Sequence, residues 1–116
     1  MRHNKKHRKL GLKKGPRVAF LKILANNLIE RGKITTTEAR AKELRRIIER
    51  LISYGKRQDL SGLRRLLEKL PAGAAHKVYH DISPRYLERG GGYTRVVKMV
   101  KRRVRDGSKM ARIEFV

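Results

Sequence analysis

The chain has 116 residues, and its 32 lysines and arginines outnumber its 10 aspartates and glutamates, for a formal net charge of +22. This length predicts one domain. Leucine, isoleucine, valine and phenylalanine supply about 26% of the residues, enough for a modest core. The absence of cysteine excludes disulfide frameworks, thiolate metal sites and cysteine catalysis. No apolar run is long enough to span a bilayer, and no apolar segment follows the basic N-terminus as in a secretory signal.

Basic residues occur along the whole chain but are densest at its start. Residues 1–17 hold eight lysines and arginines and no acid, and the first acid is Glu30. A body this cationic repels itself unless counter-charge arrives, and DNA or RNA supplies that charge. An anionic membrane is disfavoured, because beyond Met1 the only bulky apolar residues of this segment are Leu10 and Leu12. We therefore predict an intracellular protein that binds nucleic acid and no membrane.

Two parts are predicted along the chain. Residues 1–15 form a basic, nucleic-acid-binding extension that is disordered on its own, because its composition cannot drive collapse. Residues 16–116 form a single α/β domain. Its first helix is expected over about 16–31, since Pro16 suits a first helical position and Gly32 a helix end. The apolar stripe of this helix consists of Val18, Leu21, Leu24, Ala25, Leu28 and Ile29.

The next segment predicts a strand followed by the most regular helix of the chain. Residues 33–37 are β-branched and short, as in a strand, and one of the threonines 35–37 is expected to cap a helix over about 37–55. The apolar stripe of this second helix consists of Leu44, Ile47, Ile48, Leu51 and Ile52.

Two shorter helices are expected next. Asp59 or Ser61 can cap the third helix, and Pro71 stops it. Its apolar stripe consists of Leu63, Leu66, Leu67 and Leu70. A fourth helix is expected over about 73–83, closed by Ser83-Pro84, because the residue before a proline avoids helical geometry.

The C-terminal part predicts two strands. Glycines 90–92 break the chain, residues 93 to about 100 are rich in β-branched side chains, 105–108 have turn composition, and 110–115 alternate with period two. These two strands are expected to form a hairpin. The order α-β-α-α-α-β-β predicts an α+β, two-layer fold in which about four helices pack on a small mixed sheet of about three strands.

No residues converge on a catalytic arrangement. His76 and His80 have a spacing that can hold a metal ion, but no third ligand joins them, so we expect exposed side chains and no metal site. Two pairs of opposite charge, Glu38 with Lys42 and Arg45 with Glu49, are interpreted as ordinary surface pairs on a helix. The basic run Lys56-Arg57 is interpreted as part of a solvated face. We therefore predict that the chain is not an enzyme and holds no cofactor.

The triple glycine has two interpretations. It is a flexible turn into a strand, or its bare backbone lets a nucleic-acid strand approach closely. The second is favoured by its neighbours, because Arg85, Arg89 and Arg95 bracket the glycines and Tyr86 and Tyr93 interleave with them. Arginine grips phosphate with a fork, and tyrosine stacks on bases or donates hydrogen bonds.

Several segments resemble one family. The chain opens with MRH and a basic run, and it carries ITTTEARAKELRR at 34–46, SPRYLERGGGYTRVVK at 83–98 and MARIEF at 110–115. In this order they resemble the bacterial large-subunit ribosomal protein seventeen family, over essentially the whole chain.

The resemblance implies a structural protein of the large ribosomal subunit in the cytoplasm. It implies binding to the large ribosomal RNA near the exit of the peptide tunnel, beside other ribosomal proteins, with no small-molecule substrate. The RNA contacts that it implies are Arg2, His3, Lys5, Lys6, His7, Arg8, Lys9, Lys13, Lys14 and Arg17 in the tail, Thr36, Lys42, Arg45 and Arg46 at the second helix, and Arg85, Arg89, Gly91, Gly92, Tyr93, Thr94 and Arg95 around the glycines. The alternatives are an architectural nucleic-acid-binding protein, a ribosome-assembly protein and an RNA-processing enzyme.

Overall fold

The computed structural model describes residues 8–116, and over these residues it contains four α-helices and a three-stranded sheet. The predicted α+β fold and element order are confirmed. Its elements are α1 (Lys14–Arg31), β1 (Lys33–Thr37), α2 (Glu38–Lys56), α3 (Leu60–Lys69), α4 (Ala72–Lys77), β2 (Thr94–Lys98) and β3 (Met110–Phe115). Helix α1 begins two residues before its predicted start. No helix in this part of the chain is long and apolar enough to cross a membrane.

Local sequence signals account for the ends of the first three helices. Gly32 ends α1 in the left-handed conformation, with φ of 81°, and its amide donates to the Leu28 carbonyl. Of the three candidate threonines, Thr37 caps α2, because its hydroxyl accepts from the Arg40 amide at 3.4 Å. The Asp59 carboxylate caps α3.

The fourth helix does not end where Ser83-Pro84 predicts. It continues from α4 through a π-helical turn, Val78–Ile82, and a 3₁₀ turn, Ser83–Tyr86. Proline is accepted in the first turn of a helix, where its missing N–H has no partner to lose. The Ser83 hydroxyl is buried and donates to the Ile52 carbonyl at 3.3 Å, so this turn is fastened to α2.

The sheet is antiparallel throughout rather than mixed, with strand order β1-β3-β2. The expected hairpin of β2 and β3 is present, and Val96 and Ile34 lie on either side of Ile113. Strands β1 and β2 therefore run in the same direction, but β3 separates them. Because β3 lies between them, β1 and β2 form no parallel hydrogen-bonded pair in the described part of the chain.

The core lies between α2 and the sheet, closed by α1, α3 and α4. Its largest fully buried apolar side chains are Leu28, Ile29, Leu44, Ile48, Ile52, Leu66, Val78, Ile82 and Ile113. Two residues of the predicted stripes stay exposed, Val18 at 51% and Leu67 at 41%. Helical spacing predicts which side chains share a face, but the neighbouring elements determine how much of that face is covered.

Candidate nucleic-acid interface

A basic concavity lies at the edge of the sheet where β1 ends and β3 begins. It has a volume of about 530 Å³ and is open to solvent. Arg8 of the tail, Arg40 and Lys42 of α2, and Lys109 before β3 contribute its basic side chains. We call these four residues the tail-end surface. Tertiary structure thus brings together cations from three distant segments of the chain.

Two glutamates of α2 hold this surface in place. The Glu38 carboxylate pairs with Lys42 at 2.8 Å, as predicted, and lies 3.8 Å from the Lys98 ammonium. The hydrogen bond from Lys42 lowers the pKa of the Glu38 carboxyl. Glu43 is 5% exposed and accepts from the backbone amide of Arg8 at 3.3 Å and its guanidinium at 3.5 Å. The same carboxylate lies 3.6 Å from Arg46, so Glu43 ties Arg8 of the tail to α2.

The second predicted contact area, around the glycines, lies at the opposite end of the sheet, where β2 begins. We call residues 89–93 the glycine loop. Glu49 of α2 holds its end, accepting from the Tyr93 amide at 3.1 Å and from the Thr94 amide and hydroxyl at 3.1 and 3.0 Å. The prediction that Glu49 forms an ordinary surface pair with Arg45 is therefore wrong.

Lys56, at the end of α2, holds the same loop from the other side. Its ammonium donates to the Tyr93 hydroxyl at 2.8 Å and to the Arg89 carbonyl, and it lies 4.9 Å from the centre of the Tyr93 ring. Its interpretation as part of a solvated basic run is therefore wrong. Lys56 and Glu49 together make the glycine loop a shaped element anchored on α2.

Three of the predicted RNA contacts lie below the surface. Thr36 is 8% exposed, Tyr93 3% and Thr94 2%. The Tyr93 ring packs 5.3 Å from Tyr86, whose hydroxyl donates to the Val116 carbonyl at 2.8 Å. Burial raises the pKa of the Tyr86 hydroxyl above its ordinary value. In this structure the two tyrosines support the loop from beneath.

Other predicted contacts around the glycines are open to solvent. Both carboxylate oxygens of Asp81 accept from Arg85 at 3.0 Å, and Arg95 lies 3.4 Å from Glu114. The Arg89 guanidinium donates to the Gly91 carbonyl at 3.1 Å. Gly91 and Gly92 are exposed, and a Cβ on Gly91 would meet nothing within 4 Å, so the side of Gly91 away from this hydrogen bond is open to solvent.

The remaining predicted contacts divide into three groups. Lys42, Arg45 and Arg46 are exposed along α2. In the tail, Lys9, Lys13 and Lys14 are exposed, and Arg8 and Arg17 are half-buried. The other tail contacts, Arg2, His3, Lys5, Lys6 and His7, lie outside the described residues.

The structure also places the histidine pair. His76 and His80 are exposed, and their rings stack 5.6 Å apart. Residues 8–116 contain no group of three side chains that could hold a metal ion.

Sequence reasoning missed Glu43, Glu49 and Lys56. The available signal was position along α2: Glu43 precedes Ile47 by four residues, and Glu49 precedes Ile52 by three, at the edges of the apolar stripe. A carboxylate at such a position is partly desolvated and needs donors. The pattern does not identify those donors, which lie 35 to 45 residues away.

These features define a class: a small α+β domain whose α2 carboxylates are engaged internally and whose cations are exposed at both ends of the sheet. A family model narrows the class. The model for ribosomal protein L17 matches residues 20–116. The chain belongs to this family, as the resemblance of its segments predicted, and is therefore a structural protein of the ribosome.

Three similar proteins, each named large ribosomal subunit protein bL17, show how far the likeness extends. The Bdellovibrio bacteriovorus protein is 46% identical over 98% of this chain, which spans 63% of that protein's length. The Caldanaerobacter subterraneus protein is 47% identical over 95% of this chain and 98% of its own length. The Thermus thermophilus protein is 43% identical over 100% of this chain and 99% of its own length.

Proposed function

We propose that this protein is a constituent of the large ribosomal subunit and binds large-subunit ribosomal RNA through the tail, the tail-end surface and the glycine loop. The assignment to the large subunit is supported by the name that the similar proteins share. The observation that supports RNA binding is the pairing of the acids of α2. Glu38 and Glu43 pair with only a few of the exposed cations, and Glu49 accepts from buried amides instead of a cation. Arg45, Arg89 and Lys109 are exposed and have no carboxylate partner among residues 8–116.

The excess of cations gives the physical basis of affinity. Each phosphate contact by lysine or arginine releases counterions from the RNA, so binding strengthens steeply at low salt. Arg85 and Arg95 each use part of a guanidinium on a carboxylate, but arginine has five N–H donors. Both therefore retain donors for a phosphate oxygen.

The buried members of the predicted set have a different role in this proposal. Tyr93 and Thr94 shape the glycine loop from below, Thr36 supports the end of β1, and exposed arginines and open backbone meet the RNA. Folded ribosomal RNA presents backbone and 2′-hydroxyl groups that a shaped cationic surface recognises without a base code.

The tail completes the proposed contact. Residues 1–15 act as an RNA-binding extension of the domain at 16–116, and their phosphate contacts offset the conformational entropy that the extension loses when it orders on RNA. The subunit position that we propose is near the exit of the peptide tunnel, beside other ribosomal proteins, as the resemblance implies.

Sedimentation of a native lysate through a sucrose gradient, with a high-salt wash and quantitative mass spectrometry, tests the proposal. We expect one copy per large subunit that survives the wash. Loss at high salt, or a profile spread over free and precursor fractions, would instead support an assembly protein. Equal affinity for duplex DNA and folded ribosomal RNA at physiological salt would support an architectural DNA-binding protein.

A further inference from the structure

The loop that joins β2 to β3, residues 99–109, is a second concentration of positive charge outside the predicted contacts. It contains five lysines and arginines and one acid, Asp106. All side chains from Met99 to Gly107 are exposed. The loop projects from the end of the sheet opposite the glycine loop, since Lys98 and Ala111 pair at its base.

A clasp between Arg103 and Asp106 orders this loop. The Arg103 guanidinium donates to both Asp106 oxygens at 2.9 and 2.7 Å and to the Ser108 hydroxyl at 3.1 Å. The Ser108 amide donates to Asp106 at 3.1 Å, and Gly107, with φ of 65°, donates to the Arg103 carbonyl. The Arg103 guanidinium holds the pKa of the Asp106 carboxyl far below its usual range, so the clasp is ionised at neutral and mildly acidic pH.

The clasp uses the loop's one acid, and besides Lys109 at the base it leaves three cations of the loop without an ion partner in residues 8–116. Lys101, Arg102 and Arg105 are exposed, and they pair with no carboxylate in residues 8–116. A loop that is held in shape while its charges face outward is prepared for an anionic partner, because less conformational entropy is lost on binding.

Two valines that lie among these cations are exposed to solvent. Val100 is 103% exposed and Val104 is 90% exposed. Two such side chains are too small an apolar face for membrane insertion, which needs a long amphipathic stripe. The wide minor groove of an RNA helix offers ribose and base edges for apolar contact and phosphates on both sides.

We propose that the β2–β3 loop is a further RNA-binding element, with Val100 and Val104 against sugars and base edges and Lys101, Arg102 and Arg105 on phosphates. Lys109, at the base of the loop, belongs to the tail-end surface, so the two areas are continuous. The inference rests on the proposed function and adds a site to it.

Binding of the full chain to folded large-subunit ribosomal RNA over a range of KCl concentrations tests the loop. The triple variant Lys101→Gln, Arg102→Gln, Arg105→Gln keeps the clasp and removes three charges. The matched control is Arg57→Gln, Arg64→Gln, Lys69→Gln, which removes three exposed charges from the α3 region. We expect the loop variant alone to lower the slope of log affinity against log salt by about two to three units.

The valines are tested separately by Val100→Ser with Val104→Ser. We expect roughly tenfold weaker binding with an unchanged salt slope, because the apolar contact releases no counterions. Unchanged thermal unfolding of each variant shows that the fold is intact. An unchanged affinity would refute the apolar contact.

A probe at one position gives a readout independent of affinity. The chain has no cysteine, so Arg102→Cys accepts a single tethered iron chelate for hydroxyl-radical cleavage of the RNA. We expect cleavage at a few nucleotides, and diffuse cleavage from Lys69→Cys. Equal slopes for the two triple variants, with normal wild-type binding, would overturn the loop site alone. Absence of salt-dependent RNA binding by the wild type would overturn the proposed function.

Discussion

Replacement of Glu49 by alanine is the sharpest perturbation of the site. The Glu49 carboxylate is the acceptor for three hydrogen bonds, from the amides of Tyr93 and Thr94 and from the Thr94 hydroxyl. Both donor residues are buried, at 3% and 2% exposure. Truncation of Glu49 therefore removes the acceptor from two buried amides at the start of β2.

The magnitude follows from these contacts. A hydrogen bond to a charged group contributes about 1.5–3 kcal/mol, and an unsatisfied buried amide costs about 1–3 kcal/mol. These contributions are not additive, because water enters part of the space that the side chain leaves. We expect Glu49→Ala to lower the free energy of unfolding by about 3 kcal/mol, a decrease in Tm of roughly 12 °C for a chain of this size.

Urea denaturation and thermal unfolding measure this loss, and Glu68→Ala is the matched control. Glu68 is exposed on α3, and its replacement changes the net charge equally. Glu49→Gln gives an intermediate case of about 1–2 kcal/mol, since its oxygen still accepts from Thr94 while its NH₂ group faces the Tyr93 amide. If Glu49→Ala and Glu68→Ala unfold at the same urea concentration, the anchoring of the glycine loop by Glu49 is refuted.

Three further predictions concern the fold, the glycine loop and the tail. Gly55→Ala places a Cβ 2.1 Å from the Ser83 hydroxyl oxygen and should lower the free energy of unfolding, measured by urea denaturation, by about 2–3 kcal/mol. The control Gly73→Ala, whose Cβ would meet nothing within 4 Å, should leave this free energy unchanged or raise it slightly. Gly92→Ala, at φ of 64°, should lower the free energy of unfolding by about 1–2 kcal/mol. Gly91→Ala should leave the stability unchanged and weaken RNA binding. Unchanged RNA binding by Gly91→Ala would contradict a close approach of the RNA to the backbone. Deletion of residues 2–7 should preserve the thermal unfolding transition, because the Arg8–Glu43 contact remains. It should lower the slope of log affinity for RNA against log salt by up to about three units, because three lysines and arginines are removed. Loss of the thermal transition would show that these residues are part of the fold.

The secondary structure was largely predictable because its signals are local. Gly32 and Pro71 stop helices through their own backbone geometry, and the stripe on α2 follows from a spacing of three and four residues. The end of the fourth helix was not predictable in this way. Ser83 continues the helical path because its hydroxyl finds the Ile52 carbonyl, 31 residues away in sequence.

In the candidate site, too, some features were predictable from the sequence and others were decided by folding. The arginines near the glycines were predicted from their position around the triple glycine, and the bases of α2 from the family resemblance. The structure finds Arg45 and Arg89 exposed. Tyr93 belonged to the same sequence motif, yet it is buried against Tyr86. Residue type indicates what chemistry a side chain offers, but burial decides whether a partner can reach it.

The sequence by itself determined the charge, the helices and strands, and the family, since each follows from residue identity or from short-range spacing. The tertiary structure decided which charges serve the protein and which face outward. Glu43 and Glu49 resemble the surface acids in sequence, and only the approach of Arg8, Tyr93 and Thr94 gives them partners. The physical reason is that a hydrogen bond or an ion pair depends on distances of about 3 Å between atoms, and folding sets those distances between residues far apart in the chain.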